Sequence, residues 1–135
     1  MKNILLIVLV LLGSIAYAQK TVTTIDSQIC YWNDSAKEFT DSCRYKEENP
    51  ARLSFNDEET MFIHTTFTMT STYYVTGTDH KKEEDGEVYI YFTTSDVGNK
   101  YIVFIDLEYN EVRFMPADGS YIISSIIKRV FVEED

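Results

Sequence analysis

Two neighbouring segments, "EVYIYFTTSD" (87–96) and "KYIVFIDLE" (100–108), alternate their side chains with a period of two. That periodicity, carried by β-branched and aromatic residues, confines this part of the chain to strands. In the first segment Val88, Ile90 and Phe92 share one face, and Glu87, Tyr89, Tyr91 and Thr93 share the other. In the second, Tyr101, Val103, Ile105 and Leu107 alternate with Ile102, Phe104 and Asp106. Both of its faces are largely apolar, which predicts a strand with neighbours on either side. Asp96-Val97-Gly98-Asn99 between the two has the residues of a hairpin turn.

The pattern continues. "EYNE" (108–111) turns the chain into "VRFM" (112–115), with Val112 and Phe114 predicted inward, and Pro116-Ala117-Asp118-Gly119 closes that strand. Three strands with tight connections make a β-meander. Upstream, "ARLSF" and "TMFIHT" flank the turn "NDEE" (56–59), and "TFTMTSTYYVTGT" (66–78) is threonine-rich strand material. "DHKKEEDG" (79–86) reads as a charged loop, and "KTVTTIDSQICYW" as one or two strands. The end, "YIISSIIKRVFVEED", satisfies two patterns. Ile122, Ile123, Ile126, Ile127, Val130 and Phe131 fall on one half of a helical wheel, yet four isoleucines and two valines favour a strand. The strand is the expectation, with a helix over 120–132 as the alternative.

The N-terminus predicts export. Lys2, the apolar run from Ile4 to Ala16 and the small-residue pattern Ala16-Tyr17-Ala18 have the order of a secretory signal peptide over residues 1–18. The run is short for a bilayer span, so no integral membrane span is expected after cleavage. Residues 19–135 then form a single β-rich domain, secreted or periplasmic. The whole chain carries 22 acidic against 12 basic residues, a net charge of −10, and loss of Lys2 makes it more acidic. Without a basic run, nucleic acid and anionic membranes are not expected partners.

"ICYWNDSAKEFTDSCRY" (29–45) collects both cysteines, the single tryptophan and the sequon Asn33-Asp34-Ser35. In an exported chain two cysteines predict a disulfide, Cys30–Cys43. Closing a loop of about 14 residues is worth roughly 3 kcal/mol on chain-entropy grounds. The spacing is not that of a C-x-x-C redox pair, and the isolated His64 and His80 do not complete a zinc set. Ser35-Ala36-Lys37-Glu38 fits a capping box and predicts a short helical turn inside the loop. Tyr31, Trp32 and Phe39 could line a ligand, or pack over the disulfide.

Chemistry elsewhere is sparse. Asp57-Glu58-Glu59 and Glu83-Glu84-Asp85 lack EF-hand spacing, and no metal or cofactor is expected. No G-x-S-x-G elbow is present. His64 in "FIHTT" is the best candidate for a general base, and equally for a structural histidine facing a barrel interior. Tyr89 and Tyr91, with Tyr73 or Tyr74 from a neighbouring strand, could form an aromatic binding patch or simply pair across strands.

These features predict an all-β fold, a small antiparallel barrel or sandwich of roughly seven or eight strands. In outline this resembles lipocalin-like barrels, although the G-x-W signature is absent, with Cys30-Tyr31 preceding Trp32. The function expected is a non-enzymatic binding module for a small apolar ligand, glycan or peptide, with Tyr31, Trp32, Phe39, His64, Tyr73, Tyr89 and Tyr91 as candidate contacts. A protein-protein interaction or envelope-associated subunit is the alternative. A hydrolase built on His64 and the acids comes third.

Overall fold

A computed structural model describes residues 19–84 and 86–133, so the expected leader over 1–18 lies outside the described residues. Nine strands follow one another: β1 (Gln19–Asn33), β2 (Glu38–Lys46), β3 (Ala51–Phe55), β4 (Met61–Thr65) and β5 (Thr70–Glu83), then β6 (Gly86–Ser95), β7 (Lys100–Asp106), β8 (Glu111–Pro116) and β9 (Tyr121–Glu133). There is no helix among the described residues. All pairings are antiparallel, and β9 returns to pair with β1 from Gln19↔Glu133 to Tyr31↔Tyr121. The result is a closed eight-stranded barrel with β2 as an extra strand. Closure leaves the barrel wall few open edges to blunt.

β1 makes both the wall and the extra strand possible. Its first half pairs with β3 (Thr24↔Ala51, Val22↔Leu53) and its second half with β2 (Ser27↔Lys46, Ile29↔Arg44). β2 and β3 therefore lie end to end along one edge of β1, interrupted by Glu47-Glu48-Asn49-Pro50. The interruption coincides with a register shift in β1 between Thr24 and Ser27. Bulges of this kind bend a strand and increase its twist, while β1 stays paired with β9 through Tyr31. Asp26 fixes the bend, accepting from the Tyr45 hydroxyl (2.8 Å) and the Glu48 amide (2.9 Å).

Three local expectations change. The 29–45 segment is a β-hairpin rather than a loop with a helical turn. Asn33 Oδ1 accepts the Ala36 amide (3.1 Å) and Lys37 takes a positive φ of 55°, so the chain reverses before a helix can begin. Most of the charged stretch 79–86 is strand: β5 runs through Glu83 and β6 begins at Gly86, because the β5–β6 register runs on to Glu83↔Gly86. The 66–69 segment is a turn. Thr66 Oγ1 accepts the Met69 amide (3.1 Å) and Thr66 N donates to Met69 O (2.8 Å). At the C-terminus the strand expectation holds and the helical alternative over 120–132 does not. β7 lies between β6 and β8, as its two apolar faces require.

Inward-facing side chains pack one half of the barrel solidly. Val22, Leu53, Phe55, Phe62, Tyr91, Val103, Ile105 and Val112 are at most 2% exposed. Rings dominate: Phe55 lies 4.9 Å from Phe62 and 5.0 Å from Tyr91, and Phe62 stacks on Tyr73 at 4.9 Å. Such pairs add about 0.5–1.5 kcal/mol each beyond area burial. Lys20 sits at this end. Its Nζ donates to Glu59 Oε1 and to the Tyr91 hydroxyl oxygen, both at 3.0 Å, and stands 4.3 Å from the Tyr89 ring centre. Tyr91 also donates to Glu59 (3.1 Å), so Lys20, Glu59 and Tyr91 satisfy one another at this end, which packed rings seal.

Cys30 and Cys43 form a disulfide directly across the β1–β2 hairpin. A bond of this kind is what an oxidising compartment sustains. At the β7–β8 turn the buried Asp106 binds Arg113 and accepts the amides of Glu108 (3.0 Å) and Tyr109 (3.1 Å). Arg113 also lies over Phe104, its cross-strand partner, which shields the outer face of β7.

Candidate functional site

The other half of the barrel is not filled. A cavity of about 560 Å³ opens between β1, β2, the β4–β5 turn, β7, β8 and β9. Its deeper wall consists of His64, Tyr73, Tyr101, Phe114, Tyr121 and Ile123, with Ile29 opposite. Its rim carries Arg44, Lys46, Asn49 and Met69. The volume is in the range of small-molecule sites, which pair apolar walls with a few placed polar groups.

The period of two explains who lines it. On β4, Phe62 fills the core and His64, two residues on, reaches the cavity. On β7 the same step separates Val103 from Tyr101, and on β9 one such step from Ile127 leads to Ser125 and a second to Ile123. On β2, Arg44 and Lys46 share a strand face, and Tyr45 between them also reaches the cavity lining. Their cross-strand partners, Ile29 and Ser27, line the same cavity. Asn49 Nδ2 donates to Ser27 Oγ at 2.7 Å and ties the end of β2 to the rim.

His64 stacks on Phe114 (4.9 Å, 29°) and meets Tyr73 edge-on (6.1 Å). Its Nδ1 is buried without a hydrogen-bond partner. Burial holds the imidazole below its ordinary value of 6.5, which favours the neutral ring. Burial also pushes the Tyr73 phenol up to about 12, helped by Tyr101 and Asp96 nearby. Tyr121 is likewise raised to about 12, first by its hydrogen bond with Tyr101 (O···O 3.5 Å) and then by burial. The phenols are therefore neutral donors at neutral pH. Among the described residues no carboxylate lines the cavity, so His64 has no described acid there to orient it as a general base.

The structure brings together two of the seven candidate contacts, His64 and Tyr73. Tyr91 is 2% exposed in the sealed end, and Tyr89 bonds Glu87 (2.7 Å) while His80 stacks on its ring (4.3 Å). The tyrosine face of β6 points into the barrel and its Phe92 face points outward, 43% exposed at that ring. Trp32 packs edge-on against Phe39 (5.1 Å) at the hairpin, away from the cavity, and Tyr31 packs against Tyr121 (5.9 Å). Arg44, Lys46, Tyr101 and Tyr121 were not singled out by sequence. The alternation Cys43-Arg44-Tyr45-Lys46 was the available signal for the first two.

The acidic clusters are spent elsewhere or solvated. Glu59 serves Lys20, and no group of three His, Cys, Asp or Glu that could hold a metal occurs among the described residues. No described helix is long and apolar enough to cross a membrane, which says nothing of strands. No protein-family model, curated protein or solved structure matches this chain.

Proposed function

We propose that this protein is an exported, non-enzymatic binding module that holds a small, largely apolar ligand in the open half of its barrel. The observation that supports this most is the unfilled cavity of about 560 Å³, walled by aromatic and aliphatic side chains, in a barrel whose other half is tightly packed. Close packing is the rule for protein interiors, so a cavity of this size in one half of a barrel calls for an occupant. In outline the arrangement resembles lipocalin-like containers, with one end sealed and the other open.

The test is titration of residues 19–135 with the neutral fluorophore N-phenyl-1-naphthylamine. A saturable, single-site rise in emission is expected, lost in Ile123→Trp, which fills the wall, and in Met69→Trp, which fills the rim. Far-UV circular dichroism and Tm verify that each variant folds. Absence of saturable binding, or binding undisturbed in both folded variants, overturns the proposal. The competing reading, a protein interaction module, draws on Phe67, which stands 79% exposed on the β4–β5 turn. It predicts a partner whose capture is lost in Phe67→Ser and kept in Ile123→Trp.

A further inference from the structure

We infer that the cavity's ligand is an amphiphile with an anionic head group, a carboxylate or phosphate monoester, held at the rim by Arg44 and Lys46. This rests on the reading that the cavity takes a ligand, and it names the ligand's class.

The charge distribution carries the argument. Acidic residues outnumber basic ones 22 to 12 in the chain, so a surface drawn evenly from it would show more carboxylates than cations. Among the described residues, the cavity shows the reverse: Arg44 and Lys46, and no carboxylate. Neither cation has an ion-pair partner among the described residues, a property shared with Arg52, Lys81, Lys100 and Lys128; Lys20, Lys37, Lys82 and Arg113 are paired. The nearest acids along the chain do not supply one. Glu47 and Glu48 lie in the turn after β2 and do not line the cavity. Asp26 does not line the cavity and is engaged by the hydroxyl of Tyr45, itself a lining residue, and by the Glu48 amide.

Position matters as much as sign. Arg44 faces Ile29 across the ladder and Lys46 faces Ser27, so both cations stand where the apolar wall meets solvent. An anion placed there leaves its apolar tail against Ile29, Phe114 and Ile123. An arginine fork matches the two oxygens of a carboxylate or phosphate, and a lysine adds a point charge. With walls of low polarisability beside it, the rim focuses this local positive potential against the negative field of the remaining surface.

The experiment displaces N-phenyl-1-naphthylamine with dodecanoate, dodecyl phosphate, dodecanol and dodecyltrimethylammonium, each below its aggregation threshold. Both anions should bind at least about tenfold more tightly than the alcohol, and the cation more weakly than the alcohol. Arg44→Gln with Lys46→Gln should erase the preference for anions and leave dodecanol unchanged. The anion affinities alone should fall with added salt. The tighter of the two anions identifies the head group. Equal binding of all four, or an anion preference that survives the double variant, overturns the inference while ligand binding stands. Failure of the fluorophore itself to bind overturns the earlier proposal instead.

Discussion

His64→Phe should make this protein more stable, and more so in acid. The imidazole occupies an aromatic niche between Phe114 and Tyr73, and its Nδ1 is buried with no partner. An unpaired buried polar group costs about 1–3 kcal/mol, and an apolar replacement of similar shape removes that cost. A phenyl ring keeps the stacking on Phe114, so the expected gain at pH 8 is about 1–2 kcal/mol, a rise in Tm of roughly 3–10 °C for a domain of this size. The pH dependence follows from the depressed pKa. The unfolded imidazole titrates near its ordinary 6.5 and the folded one lower, because of burial. As pH falls below about 6.5, the unfolded state takes up a proton first. The wild-type protein therefore loses stability by up to about 1.4 kcal/mol per pH unit until the folded value is reached. Above 6.5 that contribution is fully present. The phenylalanine variant lacks this slope, so its advantage should widen between pH 7 and pH 5. Urea denaturation of both proteins, with the disulfide intact and ionic strength fixed, measures the difference. All other titrating groups are common to both and cancel. A variant less stable at pH 8, or an advantage equal at pH 5 and pH 8, would refute the account of His64 as a buried, unpartnered ring.

Three further outcomes are expected. Replacing Cys30 and Cys43 by serine should cost roughly 3 kcal/mol, since the bond spans a sequence separation of 13. Because β2 pairs only with β1 among the described residues, the same change should weaken dodecanoate binding more than dodecanol binding, as read by fluorophore displacement. Lys20→Met should lower stability by about 1–3 kcal/mol in urea denaturation, because Glu59 and the Tyr91 hydroxyl lose the ammonium between them. An unchanged midpoint would mean that the sealed end is held by its rings alone. Gly86→Ala should destabilise by about 1–3 kcal/mol, since a Cβ there meets the Glu108 Cβ at 2.6 Å and Cα at 2.9 Å. Gly77→Ala, whose nearest contact is Phe92 at 3.5 Å, serves as the tolerated comparison in the same thermal melt.

Local pattern was sufficient for the meander from β6 to β8 and for the pairing of Cys30 with Cys43. Strand periodicity, turn residues and the oxidation of two cysteines act over short stretches of chain, so they are written in order along it. The rest needed partners distant in sequence. β2 has almost no buried side chains, and it is a strand only because β1 lends it a ladder. The isoleucines of β9 suit a helix as well as a strand. Pairing with both β8 and β1 decides, because it satisfies the backbone on both sides and closes the wall. Closure also set which face of β6 turns inward: the tyrosines, whose hydroxyls find Lys20, Glu59 and Glu87. The cavity is the least local feature of all. It exists where β1, β2, β3, β4, β5, β7, β8 and β9 converge, and Arg44 and Lys46 acquire meaning only because β2, laddered on the second half of β1, lies beside it.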